Sequence, residues 1–377
     1  MTTPGTTLQD KVKAVGTELK SMFVERDEAI DSLILAVLSR QHILLLGPPG
    51  TAKGMIVKEL SRRLHTQWFQ YQLSEWTTRE ELFGPISIKA MTEQDTYRRV
   101  TTGKLPHAEL AMLDETFLGS RSILTTLLRI LQERRYENDG TDMVCPLISC
   151  IGASNQLPPE GEGLEALYDR FLIRLVLGYL DAPESVMRLV SMKEPGTNEP
   201  QHTLDKTDLD LTHKAIDGVY QVIPKDVAES LAAVWTKLRE VSITVTDRRL
   251  RAARQVMAAY SWLNGETTIT PQSLVTTINI FWQLPEHRSK VRQIVLSCIN
   301  IKADKAREIA EVATDAFANV SPTAQSGQIL QVVQQMARMK DELTSLGSDK
   351  KVQEALATVN GITDKLTAQL LSSLMRS

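Results

Sequence analysis

The chain has 377 residues, of which 43 are Lys or Arg and 46 are Asp or Glu, giving a formal net charge of −3. This balance does not indicate nucleic acid or an anionic membrane as the main partner. Three cysteines without metal-ligand spacing exclude a disulfide-stapled class and indicate a reducing compartment. The N-terminus lacks a secretory signal pattern, and no apolar run is long enough to span a membrane. We therefore expect a soluble, cytoplasmic protein of two to three domains.

Apolar runs in the first half of the chain predict strands that alternate with helices. Residues 7–40 carry apolar positions at helical spacing and end just before the first predicted strand, Ile43–Leu46. Further strands are predicted at Trp68–Tyr71, Leu110–Leu113, Leu147–Ala153 and Ile173–Leu177. This alternation is typical of an α/β fold in which helices flank a parallel sheet.

The first predicted strand leads into a Gly- and Pro-rich loop and then a helical segment. The loop residues are Gly47, Pro48, Pro49, Gly50, Thr51, Ala52, Lys53 and Gly54. Backbone N–H groups at a helix N-terminus can cradle phosphate oxygens, and Lys53 would add a cation for the phosphates of ATP. The usual phosphate-binding loop has a Ser or Thr after its Lys to ligate Mg²⁺, and here Gly54 takes that position. Taken alone, the loop could also be a turn without a ligand.

Two adjacent acids, Asp114 and Glu115, follow the predicted strand Leu110–Leu113. Because ligands bind beyond the carboxyl ends of parallel strands, Lys53 and Asp114 can meet at one crevice. Asp114 would hold Mg²⁺ directly or through water, and Glu115 would orient and deprotonate an attacking water. The alternative is that the two acids only cap the next helix.

The remaining segments predict the organisation of the chain. Gly and Pro around short β-prone runs at 83–105 predict an inserted hairpin, whose role is either functional or a mere connection. Residues 181–205 predict a linker or long loop, and 207–300 are mostly helical. Residues 301–377 predict helices alone, with a possible break at Gly361. Their apolar stripes either pack in a core or present a Met-bearing docking surface.

Several runs in the correct order resemble the MoxR family of AAA+ ATPases, and most closely its regulatory ATPase variant A (RavA) branch. The runs are Glu25–Ile30, the loop with Ala52 and Lys53, Glu80–Ile88, Leu113–Glu115, Ala153–Asn155, Leu164–Phe171 and Asp247–Arg249. The resemblance implies an AAA+ P-loop core over 1–190 with the hairpin insertion near 83–105. It also implies an all-helical lid over 200–300, followed by a helical C-terminal extension over 301–377.

The resemblance further implies roles for individual residues. Asn155 would be the sensor that hydrogen-bonds the γ-phosphate or the attacking water, unless it is a buried Asn that satisfies backbone groups. Arg170 would be the arginine finger that reaches the nucleotide of a neighbouring subunit, with Arg174 as second choice. Arg248 would contact the phosphates of its own subunit, with Arg249 as the alternative, unless this arginine pair only forms a solvated face.

The resemblance also implies a homo-oligomeric ring, in this family a hexamer, and protein partners that bear a von Willebrand factor A (vWA) domain. The predicted function is ATP hydrolysis with Mg²⁺ that remodels or activates a protein partner, as a chaperone does. Because Gly54 removes one metal ligand while Glu115, Asn155 and Arg170 remain, we expect slow turnover that Gly54→Ser would raise.

Two other functions are compatible with the sequence. An ATP-gated assembly scaffold would bind nucleotide and hydrolyse little of it, because of Gly54. A nucleic-acid motor would use basic residues of the insertion, although the net acidic chain argues against it. These basic residues are Lys89, Arg98, Arg99 and Lys104.

Overall fold

Five parallel strands form the sheet at the centre of the first structural unit, which ends at Val295. They are β1 (His42–Leu46), β2 (Trp68–Gln72), β3 (Leu110–Asp114), β6 (Ser149–Ser154) and β7 (Phe171–Val176). Their order across the sheet is β2-β3-β6-β1-β7, and every pair is parallel. The computed structural model describes residues 7–158, 163–192, 195–196, 199–299, 301–320, 326–345 and 350–374.

Helices flank this sheet and form the lid that follows it, as the sequence predicts. The first group is α1 (Leu8–Met22), α2 (Asp27–Leu38), α3 (Lys53–Leu64), α4 (Arg79–Phe83), α5 (Ile88–Gln94), α6 (Arg121–Glu133) and α7 (Glu165–Tyr168). The second group is α8 (Pro183–Ser191), α9 (Lys206–Tyr220), α10 (Lys225–Glu240), α11 (Asp247–Leu263) and α12 (His287–Ile299). Short 3₁₀ segments occur at Leu105–His107 and Pro271–Asn279. The predicted α/β class with a helical lid is confirmed.

The position of β1 between β6 and β7 explains its sequence. All five residues of β1 are buried, because strands lie on both sides of it and helices cover the sheet. Helix α3 follows the loop and buries Ile56, Val57, Leu60 and Leu64. This apolar stripe lies at helical spacing, so packing fixes which side of α3 faces the sheet.

The insertion at 83–105 is not a simple hairpin, so that prediction is wrong in its detail. Its two ends pair through a single antiparallel bridge between Ile86 and Arg99, and helix α5 lies between them. The Ser87 side chain accepts a hydrogen bond from the Ala90 N–H at 3.2 Å and so caps α5. An N-capping Ser followed by residues that tolerate a helix favours this outcome over a continuous pair of strands.

A true hairpin occurs instead between β4 (Arg135–Asn138) and β5 (Thr141–Val144). Asp139 and Gly140 form its two-residue turn, with φ angles of 54° and 69°. An Asp-Gly pair with two positive φ angles is the preferred turn for closely connected antiparallel strands. The Asp-Gly pair is a sequence signal for this hairpin.

The predicted linker over 181–205 contains the helix α8, which buries none of its residues. Pro183 occupies the first turn, where its missing N–H costs no helical hydrogen bond. Parts of this stretch, residues 193–194 and 197–198, lie outside the described residues. Among the described residues, no helix combines the length and apolar content needed to cross a bilayer.

The second structural unit, which begins at Leu296, contains three long helices that share one core. They are α13 (Ile301–Ala318), α14 (Ser326–Ser345) and α15 (Lys350–Leu374). The core includes Ala306, Ile309, Ala313, Ile329, Met336, Leu343, Val352, Ala355, Val359, Ile362 and Leu366. The apolar stripes of these helices therefore pack on one another, and Met336 is a core residue rather than a docking residue. Helix α15 continues through Gly361, so the break predicted there does not occur.

We expect Gly361→Ala to stabilise the second unit by about 0.5–1 kcal/mol, because Gly disfavours a helix interior. A Cβ at this position would meet no atom within 4 Å. Hydrogen exchange of the α15 amides in the full chain would measure the gain. Gly265→Ala is the matched control, since its Cβ also has open space but its φ of 84° is strained for Ala. Loss of protection in α15 on Gly361→Ala would contradict a continuous helix.

Candidate nucleotide site

The loop between β1 and α3 requires glycine at its first position. A Cβ on Gly47 would lie 2.2 Å from the carbonyl oxygen of Leu177, so no larger residue fits there. Gly50 has a φ of 81°, and Ala52 has a left-handed φ of 64° immediately before α3. These angles turn the chain sharply from strand to helix. They leave the loop backbone lining the start of the helix.

The N-terminus of α3 offers backbone donors for an anion. The first helical hydrogen bond runs from the Ile56 N–H to the Ala52 carbonyl at 3.0 Å. The preceding amides of the helix have no helical acceptor, and the helix dipole favours negative charge at this end. This arrangement fits a phosphate group.

Arg26 holds the loop through hydrogen bonds to backbone carbonyls, a role that the sequence did not reveal. Its guanidinium donates to the Thr51 carbonyl at 3.2 Å and to the Gly178 carbonyl at 2.9 Å. Arg26 is only 8% exposed, and burial lowers the pKa of its guanidinium. Arg26 lies in the run Glu25–Ile30 that carries the family resemblance, and this was its only signal in the sequence.

The Lys53 ammonium lies directly over the loop. Its Nζ donates to the carbonyl of Gly47 at 2.6 Å, to the carbonyl of Pro48 at 3.0 Å and to Asn155 Oδ1 at 3.4 Å. Burial lowers the pKa of Lys53, while the carboxylates of Asp114 and Glu115 oppose this shift. A partly desolvated cation held this way is suited to pair with phosphate oxygens.

Asn155 connects Lys53 to Glu115. Its Nδ2 donates to Glu115 Oε1 at 2.7 Å, while its Oδ1 faces the Lys53 ammonium. Asn155 is exposed, which argues against the alternative of a buried Asn that only satisfies backbone groups. Glu115 has a left-handed φ of 49°, uncommon for a residue other than glycine. The strand ends thus hold a cation, an amide and a carboxylate in one hydrogen-bonded chain.

Asp114 and Glu115 do not cap the following helix, because α6 starts at Arg121 with Ser120 as its N-cap. Asp114 ends β3 and accepts a hydrogen bond from the Glu115 N–H at 3.1 Å. Within the described residues, no three His, Cys, Asp or Glu side chains converge as a ready metal cage. One carboxylate beside a phosphate cradle suits Mg²⁺, which usually keeps several waters and binds substrate phosphates. The residues present therefore fit ATP with Mg²⁺.

Arg170 and Arg248 lie at the opposite end of the strands from the loop. We call this end, where the parallel strands begin, the amino edge of the sheet. Arg170 immediately precedes β7, whose first residue is opposite His42 at the start of β1. Its guanidinium donates to Gln132 Oε1, a partner that the sequence did not reveal. The Arg248 guanidinium donates to Asp169 Oδ2 at 3.1 Å, and its side chain is 53% exposed.

A surface cavity confirms the position of Arg248. Arg248 lines this cavity together with Arg40 and Gln41, which directly precede β1. The loop with Lys53 follows the far end of β1, about 16 Å away for a five-residue strand. The expectation that Arg248 contacts the phosphates of its own subunit therefore does not agree with the structure. Arg248 shares an edge with Arg170 and not with Lys53.

Arg249 and Arg174 are buried structural residues. Arg249 donates to the carbonyls of Leu172 at 2.6 Å and Ile280 at 2.9 Å, and it forms an ion pair with Asp169 at 3.5 Å. Burial and neighbouring Arg174 lower the pKa of Arg249, while Asp169 opposes this shift. Arg174 donates to the Trp282 carbonyl at 2.9 Å. Both guanidiniums join β7 to the lid, which leaves neither placed to contact a nucleotide.

Comparison with known proteins gives this arrangement a family. A profile described as the MoxR domain in MoxR-vWA-beta-propeller ternary systems matches residues 10–214, more than half of the chain. The chain belongs to the MoxR family of AAA+ ATPases. A second profile, an AAA lid domain, matches residues 226–295 of this MoxR chain.

Individual proteins are also similar to this chain. An uncharacterized protein of Methanocaldococcus jannaschii is 33% identical over 305 residues, which cover 81% of the MoxR chain and 79% of that protein. The Mycobacterium tuberculosis chaperone MoxR1 is 27% identical over 178 residues, covering 46% and 45%. A crystal structure of a candidate ATPase from Cytophaga hutchinsonii has a TM-score of 0.60 and 21% identity. The match covers 78% of the MoxR chain and 94% of the Cytophaga chain, and this likeness establishes the fold.

We expect Arg249→Met to lower the free energy of unfolding by about 3 kcal/mol, since it leaves buried carbonyls and Asp169 without their donor. Arg248→Met is the matched control and should cost less than about 1 kcal/mol, because its ion pair is exposed. Denaturant unfolding of the two variants measures the difference. Equal losses would contradict the division of these neighbours into a structural and an exposed arginine.

Proposed function

We propose that this MoxR chain binds ATP with Mg²⁺, hydrolyses it between the subunits of a homo-oligomeric ring, and uses turnover to remodel or activate a protein partner. The hydrogen-bonded chain from Lys53 through Asn155 to Glu115 carries the proposal. These three residues lie where the ends of parallel strands place a ligand. A structural role alone would not need a cation, an amide and a carboxylate together at the strand ends, with the amide of Asn155 exposed.

Each residue of this chain has a distinct part in the proposed reaction. The loop amides and the Lys53 ammonium hold the phosphates, while Asp114 would hold Mg²⁺, which when bound neutralises charge on the phosphate oxygens. Asn155 engages Glu115 Oε1, so the other carboxylate oxygen can accept the proton of an attacking water. Asn155 also keeps the carboxylate oriented toward the phosphates.

Arg170 and Arg248 are proposed to serve the neighbouring subunit. Both lie at the amino edge of the strands, so they cannot complete the site beside their own Lys53. A head-to-tail contact would bring this edge against the phosphate edge of the next copy, and such contacts close into rings. A guanidinium there would stabilise the negative charge that develops on the transferred phosphoryl group. The hexameric number follows from the family resemblance.

The proposed partner is a protein with a vWA domain. The family profile that matches residues 10–214 describes MoxR domains in ternary systems with vWA and beta-propeller components. The related MoxR1 is named a chaperone, which supports a remodelling role. The closer resemblance to the RavA branch stays a hypothesis.

The two other functions differ in their support. Gly54 favours the ATP-gated scaffold, because a loosely held metal would slow hydrolysis. For a nucleic-acid motor, three of the four basic residues are engaged within the protein, and the first, Lys89, pairs with Glu93 at 3.9 Å. Arg99 forms an ion pair with Glu80 at 2.9 Å, and Lys104 donates to the Glu81 carbonyl at 3.0 Å. The hydrolysing ring is therefore the function we advance.

We expect Glu115→Gln to retain ATP binding and to lower turnover by about 100-fold or more, because the amide cannot accept the proton. Lys53→Ala should weaken nucleotide binding itself, since it removes the cation of the loop. Fluorescent-nucleotide titration and phosphate release measure the two effects separately. Wild-type turnover no higher than that of Glu115→Gln, together with ATP-dependent assembly, would favour the scaffold.

We expect Arg170→Ala and Lys53→Ala each to be inactive alone and to recover ATPase activity when they are mixed. In mixed rings, roughly a quarter of the contacts pair an intact loop from Arg170→Ala with an intact arginine from Lys53→Ala. Steady-state ATPase activity of the mixture should therefore exceed that of either variant alone. A chain carrying both substitutions, mixed with either single variant, is the control and should recover nothing. No recovery in the first mixture would contradict an arginine supplied by the neighbour.

A further inference from the structure

Gly54 stands where the usual loop has a hydroxyl-bearing residue, and the polar side chain of Gln70 on β2 lies close to it. A Cβ built on Gly54 would lie 3.8 Å from Gln70 Nε2 and 3.7 Å from Met112 Cε. Both distances are ordinary van der Waals contacts, and Gly54 does not have a positive φ. Neither packing nor backbone strain therefore forces glycine here.

The strand register places Gln70 on the metal side of the sheet. Gln70 on β2 pairs with Met112 on β3, and Gln72 pairs with Asp114. Alternate residues of a strand share a face, so Gln70 lies on the same face as Asp114. Gln70 is exposed, and no described residue forms a hydrogen bond with its side-chain amide. The amide is thus available to a ligand on this face.

The side-chain amide of Gln70 can take the place of the hydroxyl that is missing at Gly54. A Ser or Thr hydroxyl would lie one covalent bond beyond the Cβ, within reach of an amide that approaches that Cβ at 3.8 Å. A half-turn of the amide exchanges its nitrogen and oxygen, so either a donor or an acceptor can point toward this position. Mg²⁺ keeps several of its waters in proteins, and an amide oxygen can accept a hydrogen bond from one of them.

We propose that Gln70 replaces the missing loop hydroxyl by holding a magnesium-bound water from β2. The proposal rests on the proposed function, because it concerns the same nucleotide site. Gly54 and Gln70 then form a compensating pair, in which the absence of a side chain on α3 leaves room for the amide. It follows that Gly54→Ser exchanges one polar group for another. The gain in rate expected from the sequence should then be small.

The test measures metal affinity rather than turnover. Electron paramagnetic resonance would follow Mn²⁺ binding to the full chain saturated with the imido analogue of ATP. We expect Gln70→Met, which keeps the length of the side chain but removes its amide, to weaken Mn²⁺ binding about fivefold to tenfold. Gly54→Ser alone should change the affinity less than about threefold, and the double variant should return close to wild type.

Two controls accompany this cycle. Gln221→Met changes another exposed glutamine, next to Tyr220, which lines the cavity at the opposite edge of the sheet. It should leave Mn²⁺ affinity unchanged. Binding of the imido analogue in the presence of a chelator should be equal in all variants, which verifies that each retains a folded loop.

The possible outcomes distinguish a failure of the Gln70 proposal from a failure of the proposed function. Unchanged Mn²⁺ affinity in Gln70→Met would overturn the role of Gln70 and leave the proposed function standing. An equal loss on Gln70→Met with and without Gly54→Ser would also overturn it, since Gln70 would not then replace the hydroxyl. Failure of the wild-type chain to bind the imido analogue at all would instead overturn the proposed function.

Discussion

The parallel register of β1, β3 and β6 is the constraint on which the rest of this structure depends. Leu45 pairs with Ala153, and Leu113 pairs with Gly152, so the three strands end almost level. The side chains that follow them meet across these strand ends, from Lys53 through Asn155 to Glu115. A slip of one residue would turn every side chain of a strand to the other face. The buried apolar strands therefore hold the polar site in place as well as the core.

The same register separates this site from the exposed arginine at the other edge. Since β7 is parallel to β1, residues that precede β7 lie at the end opposite the loop. Asp169 links the two arginines of the lid, the exposed Arg248 and the buried Arg249. The buried member attaches the lid to β7, and the exposed member stays at the surface with Arg170. One ion-pair cluster thus attaches the lid to β7 and leaves one arginine of the pair exposed.

Much of the fold could be predicted from the sequence, because buried strands give a strong local signal. The first predicted strand, Ile43–Leu46, is within one residue of β1. Arg248 and Arg249 could not be separated, since neighbours on a helix point about 100° apart and only the docking of α11 decides which is buried. The helix α5 could not be predicted, because its seven residues are too few to show a clear helical period. Gln70 carries no motif, and only the register of β2 with β3 reveals its position.

The glycine at position 54 is not explained by the stability of α3. Glycine disfavours a helix relative to alanine, and in the first turn of α3, where Gly54 lies, a Cβ would meet only ordinary contacts. A loss of metal binding would not by itself explain why Lys53, Asn155 and Glu115 remain joined. The affinity of a metal site depends on which atoms surround the ion and not on the order of their residues along the chain. A group that holds the metal through one of its waters can therefore lie on a neighbouring strand instead of the helix, provided that the strand register keeps it on the face that carries Asp114.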